Sequence, residues 1–280
     1  MKSMRELTAE PNLPVLFGKA ALAGIRRRDG EPVLPAGGLA RSGVLVDPAR
    51  LAAYDRVCGF RLTDELPVTA PHLLVFGLQV ALMTAADFPF PMIGLVHVAN
   101  RISQTRPLRA DEPLVVRTHT ADLRPHERGV QFDLVSEALA DGEPVWQETS
   151  TYLRRNGSGG GDRSQRQDEP IERPDAVWRI FGDTGRRYAE VSGDCNPIHL
   201  HPLTARLFGF RRAIAHGMWS LARCLAYYEG RLPAAYTVDV RFKLPILLPA
   251  TVALSARDDG FELVDSRTGR PHLSGELTRP

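Results

Sequence analysis

The segment from Asp194 to His199 reads Asp-Cys-Asn-Pro-Ile-His and places an acid, an amide and an imidazole close together in the chain. Pro197 has no backbone N–H and disfavours the α conformation at Asn196, so we expect a bent loop rather than a regular helix. An Asp/His pair on such a loop can hold one water molecule and exchange a proton with it. Asp194, Asn196 and His199 are therefore candidate catalytic residues.

The same residue types also have an ordinary structural use. Asp, Asn and Pro are common turn residues, and Asp194 could cap a helix that begins near Pro202. The short pattern by itself leaves the catalytic and the structural interpretation open. The residues around it favour the catalytic one.

Matching positions extend on both sides of the loop, with Tyr188–Gly193 before it and Ala205, Gly209 and Ala215–Met218 after it. Together they resemble the signature of the MaoC-like, type 2 (R-specific) enoyl-CoA hydratases, and the two-part layout is similar to the mycobacterial-type (3R)-hydroxyacyl-thioester dehydratases. The resemblance implies hydration of trans-2-enoyl thioesters, or the reverse dehydration, in fatty-acid metabolism. A thioesterase on the same fold and a non-catalytic acyl-thioester-binding subunit are the alternatives.

The resemblance also implies roles for individual residues. Asp194 and His199 would be the catalytic pair, with their separate roles left open, and the backbone N–H of Gly217 would stabilise the thioester oxygen as it gains charge. Gly217 begins a predicted apolar helix, where free N–H groups and the helix dipole favour negative charge. Its missing side chain would let a carbonyl approach closely. Asn196 is expected to orient the pair or the water.

Two further histidines, His201 and His216, lie near the loop. With Asp194 and His199 they could form a set of four metal ligands. The resemblance implies no metal and no bound cofactor, and we expect His216 to order the start of the helix instead.

Cations are expected at the mouth of the site, because coenzyme A and the pantetheine arm of an acyl carrier protein carry phosphates. Arg211 and Arg212 lie between the loop and the apolar helix, and Arg241 and Lys243 alternate onto one face of a predicted strand. Each of these is also compatible with an ordinary surface charge.

Composition limits the other classes of function. The chain has 280 residues, a net charge of +2 and three scattered cysteines. This small charge does not favour nucleic acid as a partner, and the cysteines favour a reducing compartment. With no signal peptide and no run of membrane-spanning length, we expect a soluble cytoplasmic protein.

A polar, Gly-rich segment at 154–174 is typical of a linker and separates an N-terminal half (1–153) from a catalytic C-terminal half (175–280). The halves are related, because Tyr54–Phe60 aligns with Tyr188–Asp194. Each half then has a long apolar helix pattern, followed by strand patterns with period-two alternation. These patterns start at Ala70 and Ala215 for the helices, at Gly94, Pro113, Gly129 and Val145 for the first set of strands, and at Tyr236, Ala250, Gly260 and Pro271 for the second.

The predicted fold class is α+β, and the resemblance implies a double hot-dog, in which two antiparallel sheets each wrap on a long central helix. Duplicated halves generally pair through equivalent surfaces, as homodimers do, so we favour paired halves over independent domains. Whether the whole chain forms a homodimer is left open.

The N-terminal half lacks the catalytic residues. Phe60 occupies the position of Asp194, and no histidine follows at the required spacing. We therefore expect one active site per chain. The apolar run Leu73–Leu78, which includes Gly77, is a candidate wall for the acyl tail, although an ordinary core helix is the more common use of such a run.

Overall fold

A computed structural model describes residues 3–23, 31–155 and 169–279. The N-terminal half begins with β1, α1, β2 and α2, continues with the long helix α3 and ends with four long strands. Their bounds are β1 (Met4–Glu6), α1 (Leu13–Ala23), β2 (Gly38–Val44), α2 (Pro48–Cys58), α3 (His72–Met83), β3 (Leu95–Gln104), β4 (Leu114–His126), β5 (Gly129–Ala140) and β6 (Glu143–Arg155).

The C-terminal half repeats this plan with one strand, four helices and four strands among the described residues. They are β7 (Ala176–Ile180), α4 (Thr184–Ser192), α5 (Pro197–Leu200), α6 (Pro202–Leu207), α7 (Gly217–Tyr227), β8 (Tyr236–Phe242), β9 (Ala250–Arg257), β10 (Gly260–Asp265) and β11 (Pro271–Thr278). Both apolar helices and all eight predicted strands are confirmed.

The strands of both halves join into one sheet in the order β1-β2-β4-β5-β6-β3-β8-β11-β10-β9-β7. The halves meet where β3 pairs antiparallel with β8, from Ala99 opposite Arg241 to Gln104 opposite Tyr236. The hydroxyls of Ser103 and Thr237 also lie 2.7 Å apart across this seam. The two sheets of the double hot-dog are therefore continuous.

The buried core crosses from one half to the other. Helix α3 packs on β4 and is buried along nearly its whole length, which explains its apolar pattern on all sides. Tyr54 and Val75 of the first half belong to the same hydrophobic cluster as Leu221 and Phe261 of the second. This shared core is the arrangement expected of paired halves.

The internal repeat is visible at the ends of α2 and α4. Helix α2 ends at Gly59 with φ of 87°, and α4 ends at Gly193 with φ of 78°. Glycine adopts this left-handed conformation readily, and it reverses the chain after each helix. Phe60 and Asp194 then follow at equivalent places, which confirms the alignment of the two segments.

Several elements carried no clear signal in the sequence, among them β1, α1 and β7. Of the predicted linker, Arg154 and Arg155 belong to β6, and 156–168 lie outside the described residues. No helix in the described ranges is long and apolar enough to cross a membrane.

Candidate active site

The loop that holds Asp194 is shaped by hydrogen bonds to its own backbone. Asp194 N–H donates to the hydroxyl of Ser192 at 3.1 Å, and Asn196 N–H donates to Oδ1 of Asp194 at 3.2 Å. Asn196 in turn caps the short helix α5, since its side-chain oxygen accepts from Ile198 N–H at 3.4 Å. Asn196 therefore shapes the loop, and Asp194 stays partly exposed at its bend.

His199 lies on α5 with its ring buried. Its Nδ1 lies 2.8 Å from the carbonyl oxygen of Ile214, so Nδ1 carries the proton and Nε2 presents a lone pair. Burial lowers the pKa of His199, while Asp194 and the bond to Ile214 oppose the shift. The ring is thus held neutral and ready to accept a proton at Nε2.

His216 lies against this ring and caps α7. Its Nε2 is 3.0 Å from the backbone carbonyl of Asp194, to which it donates, and 3.7 Å from Oδ2 of the same residue. Its backbone carbonyl accepts from the N–H and the hydroxyl of Ser220. Burial, followed by the neighbouring His199, lowers the pKa of His216 to about 3. The structure supports the prediction that His216 orders the start of the helix.

The possible metal set differs from the one considered from the sequence. Asp194, His199 and His216 bring ligand atoms within 4.8 Å of one another. His201 is exposed and instead caps α6, where its Nδ1 accepts from Leu203 N–H. Because Nε2 of His216 is used on the Asp194 carbonyl, this ring would have to bind a metal through Nδ1, which is buried without a partner among the described residues.

Gly217 is the first residue of α7, so its N–H has no partner within the helix. A Cβ at this position would lie 3.1–3.2 Å from ring atoms of Phe242 on β8. The missing side chain therefore makes room for Phe242, whereas we expected that room to serve the thioester carbonyl. The N–H remains at the helix terminus, where the dipole favours a developing negative charge.

The N-terminal half supports the loop from the other side. Arg50 of α2 donates to the carbonyl oxygens of Val191 at 2.7 Å and Ser192 at 3.4 Å, at the end of α4.

Within the C-terminal half, α4 also packs closely on α5. A Cβ on Gly185 of α4 would lie 2.1 Å from the carbonyl oxygen of His199. Contacts between distant parts of the chain therefore set where Asp194 and His199 lie.

The predicted substrate-binding cations fall into two groups. Arg211 and Arg212 are exposed in the turn before α7, and Arg212 reaches the carbonyl of Pro249 at 3.3 Å. Arg241 lies on the opposite face of β8 from Phe242, because side chains alternate along a strand, and Lys243 is exposed just beyond the strand. The structure thus places Arg241 on the outer face of the sheet, away from Gly217, which corrects the expectation for that pair.

Gly77 does not line an open wall for the acyl tail. A Cβ on Gly77 would lie 3.3 Å from the ring of Pro11, which covers α3 at this point. Gly77 therefore packs inside the protein, as expected if the Leu73–Leu78 run is an ordinary core helix.

The site residues that sequence reasoning missed are Arg50, Gly185, Phe242 and a histidine on β3, His97. The ring of His97 lies 5.0 Å from that of Phe242 and 4.8 Å from that of Tyr152. No local pattern marks these residues, because each acts through a contact with a different element. Only the period-two alternation of β3 and β8 could have indicated which side chains face inward.

A buried helix N-terminus facing an Asp/His loop on a double hot-dog defines a class of hydro-lyases, and the chain belongs to the MaoC-like family of hydratases and dehydratases. The family described as MaoC like domain matches residues 160–271. The chain is 40% identical over 239 residues to 3-hydroxyacyl-thioester dehydratase X of Mycobacterium tuberculosis, a match that covers 83% of this chain and 85% of the relative.

Solved structures agree with this assignment. The crystal structure of HtdX of Mycobacterium tuberculosis matches with a TM-score of 0.76 and 38% identity, covering 86% of this chain and 98% of that one. A MaoC-like dehydratase from Phytophthora capsici matches with a TM-score of 0.71 over 90% of this chain and 98% of its own, and at 18% identity it supports the fold alone.

Proposed function

We propose that this chain interconverts trans-2-enoyl thioesters and (3R)-hydroxyacyl thioesters, with Asp194 and His199 as the catalytic pair. The observation that carries this proposal is the spacing of their side chains. Their polar atoms lie within 4.8 Å of each other, and two hydrogen bonds of about 2.8 Å each can span that distance through one water molecule. The carboxylate and the imidazole can therefore hold the same water.

The hydrogen bonds of His199 indicate how the proton moves. Since Nδ1–H is committed to the Ile214 carbonyl, Nε2 accepts the proton of the water as its oxygen adds to the β-carbon. Asp194 accepts a hydrogen bond from the second hydrogen of that water, which stays on the oxygen, and so orients the water. The proton taken up by the pair then goes to the α-carbon, so that water is added across the double bond with no change of oxidation state.

Negative charge develops on the thioester oxygen while the β-carbon is attacked. The N–H of Gly217 is the group proposed to stabilise it, because it is free of helical bonds and lies at the positive end of the α7 dipole. Removing one such donor typically costs about 10²–10³-fold in kcat.

The remaining surfaces are proposed to bind the carrier and the acyl tail. Arg211 and Arg212 are the cations proposed for the phosphates of coenzyme A or of an acyl carrier protein. The tail is proposed to run past Phe242 of β8 into the degenerate half, where His97, Tyr152 and Phe132 continue the series of ring contacts. Each methylene buried there would favour a longer substrate by about 0.8 kcal/mol.

A crotonyl-CoA solution tests the proposal. Loss of the enoyl absorbance without release of free thiol is the expected result, whereas free thiol would indicate a thioesterase and no change would indicate a binding protein. The product should give no reduced nicotinamide with a strictly 3S-specific hydroxyacyl-CoA dehydrogenase. A strong signal in that coupled assay would contradict the 3R assignment.

A further inference from the structure

The segment 201–212 forms an exposed surface beside the proposed catalytic pair. It leaves α5 after His199 and Leu200, and the chain returns to α5 at Ile214. The N–H of Ile214 donates to the carbonyl of Ile198 at 3.1 Å, and the carbonyl of Ile214 accepts from Nδ1 of His199 at 2.8 Å. Both ends of the segment are therefore held at α5, and a molecule that covers the segment lies next to His199.

Three large apolar side chains of this segment extend into solvent. Leu203 is 62% exposed, Leu207 is 82% exposed and Phe208 is 38% exposed. Leu203 and Leu207 are four residues apart on α6, so they share one face of that helix. Single exposed apolar residues are common on protein surfaces, whereas a cluster of them indicates a site of interaction.

The apolar cluster is accompanied by positive charge. Arg206 lies three residues from Leu203 on α6, and the exposed Arg211 and Arg212 follow after the next turn. Among the described residues, none of these arginines forms an ion pair. The sequence has no acidic residue between Cys195 and Tyr228. The centre of this surface is called the α6 patch and consists of Leu203, Arg206, Leu207 and Phe208.

Charge and apolarity together define the partner that fits the α6 patch. A symmetric contact with a second copy of the chain would place the same arginines against each other, and like charges repel. Membrane binding increases with the apolar area that is buried, and α6 has only six residues. An acidic protein with a small apolar surface would complement both the arginines and the leucines.

The position beside His199 indicates which acidic protein this is. Coenzyme A offers phosphates but no protein surface, whereas an acyl carrier protein is acidic and carries its acyl group on a pantetheine arm. We propose, on the basis of the proposed hydratase function, that the α6 patch docks an acyl carrier protein while the arm enters the site next to His199. The patch is small, which suits the transient contact that repeated turnover requires.

The docking surface predicts a difference between two substrates with the same acyl group. Crotonyl-CoA and a crotonyl group loaded on a bacterial acyl carrier protein present the same enoyl thioester, but only the second has a protein surface. The double variant Arg206→Glu/Leu207→Ser reverses one charge and removes one apolar contact. Because complementary charges raise association rates by about 10–10³-fold, we expect kcat/KM to fall about tenfold or more with the carrier protein and to stay within about twofold with crotonyl-CoA.

The matched control is Arg5→Glu/Leu45→Ser. Both residues are exposed in the N-terminal half, Leu45 is 62% exposed like Leu203, and the change in net charge is the same. The control should leave kcat/KM near the wild-type value for both substrates. Added salt should lower kcat/KM with the carrier protein more in the wild type than in the α6 variant, because salt screens charges on exposed surfaces.

The outcomes separate this inference from the proposed function. An equal loss with both substrates, or no loss with either, would show that the α6 patch does not dock a carrier protein. A changed oligomeric state of the variant in gel filtration would assign the patch to a second copy instead. Co-sedimentation of the wild type, but not the variant, with phosphatidylglycerol vesicles would assign it to a membrane.

The wild-type chain provides the remaining distinction. If it hydrates crotonyl-CoA but not the carrier-protein substrate, only the docking inference is wrong. If it hydrates neither substrate, the proposed function itself is contradicted. Should the double variant fail to fold, Arg206→Glu alone gives the same comparison, since this side chain is exposed.

Discussion

His199 and His216 lie face to face, with ring centroids 3.7 Å apart and ring planes 26° from parallel. Two positive charges at this distance in a buried site would repel strongly, so the two rings do not carry charge together. His216 stays neutral because burial and His199 lower its pKa to about 3. In the proposed mechanism, His199 is therefore the imidazole that takes up a proton.

Removing either member of the proposed pair should stop catalysis without unfolding the protein. We expect Asp194→Asn and His199→Gln each to lower kcat for crotonyl-CoA by about 10²–10⁴-fold, the usual contribution of a general acid–base group. Circular dichroism and the melting temperature should stay near the wild-type values. Near-full activity of either variant would show that the residues are assigned wrongly.

The lowered pKa of His199 predicts the pH dependence of hydration. Burial keeps the ring neutral below the ordinary value of about 6.5, so the base form persists in mildly acidic solution. As the pH falls, kcat/KM should therefore hold through pH 6.5 and decline only below it. A pH profile with crotonyl-CoA checks this, and an acidic limb centred above pH 6.5 would contradict it.

Gly185→Ala should impair the site although alanine normally favours a helix. The new Cβ would lie 2.1 Å from the carbonyl oxygen of His199, so α5 must move. We expect a loss of more than about tenfold in kcat and a lower melting temperature, as a strained core contact typically costs about 1–3 kcal/mol. Gly182→Ala is the matched control, because its nearest neighbour would be Pro249 at 4.0 Å. Equal effects of the two substitutions would contradict the packing argument.

Asp55 should make the protein less stable as the pH rises. Its carboxylate oxygens are buried without a partner among the described residues, and burial, followed by Glu229, raises its pKa to about 7. The folded state then holds a proton that the unfolded chain has already lost, so stability falls between about pH 4 and pH 7 and stays low above that. We expect Asp55→Asn to raise the melting temperature by several degrees at pH 8 and by much less at pH 5.

An exposed aspartate provides the comparison for this stability change. Asp87 lies on the surface, and Asp87→Asn should leave the melting temperature within about one degree at both values of pH. The same shift for both variants would show that the change reflects net charge rather than the burial of Asp55.

The C-terminal half should not fold well by itself, although it holds Asp194 and His199. Cutting the chain at residue 174 would expose the edge of β8 that pairs with β3 and would remove Val57, whose carbonyl accepts from the indole of Trp219 at 3.0 Å. Exposed sheet edges and exposed apolar core surfaces promote aggregation between chains. Gel filtration of the fragment 174–280 should show aggregates, and a soluble, active monomer would show that the halves are independent.

The sequence by itself determined the local features of this protein. Asp194, Pro197 and His199 lie close together in the chain, so their spacing predicts an acid and an imidazole on one bent loop. The bend is present at Asp194, but Pro197 and His199 lie on the short helix α5, which corrects the expectation of a loop through His199. The apolar pattern of α3 and the alternation of the strands depend only on the nearest turns of the backbone, and these elements form where they were predicted.

Only the tertiary structure decided which side chains surround that loop. His216, rather than His201, stacks on His199 because α7 begins beside α5, and Arg241 faces outward because Phe242 faces Gly217. Arg50 and His97 reach the site from the other half, where their own sequence neighbours give no sign of it. These relationships arise from the pairing of β3 with β8 and from the shared core, and contacts between residues so far apart in the chain leave no periodic pattern in the sequence.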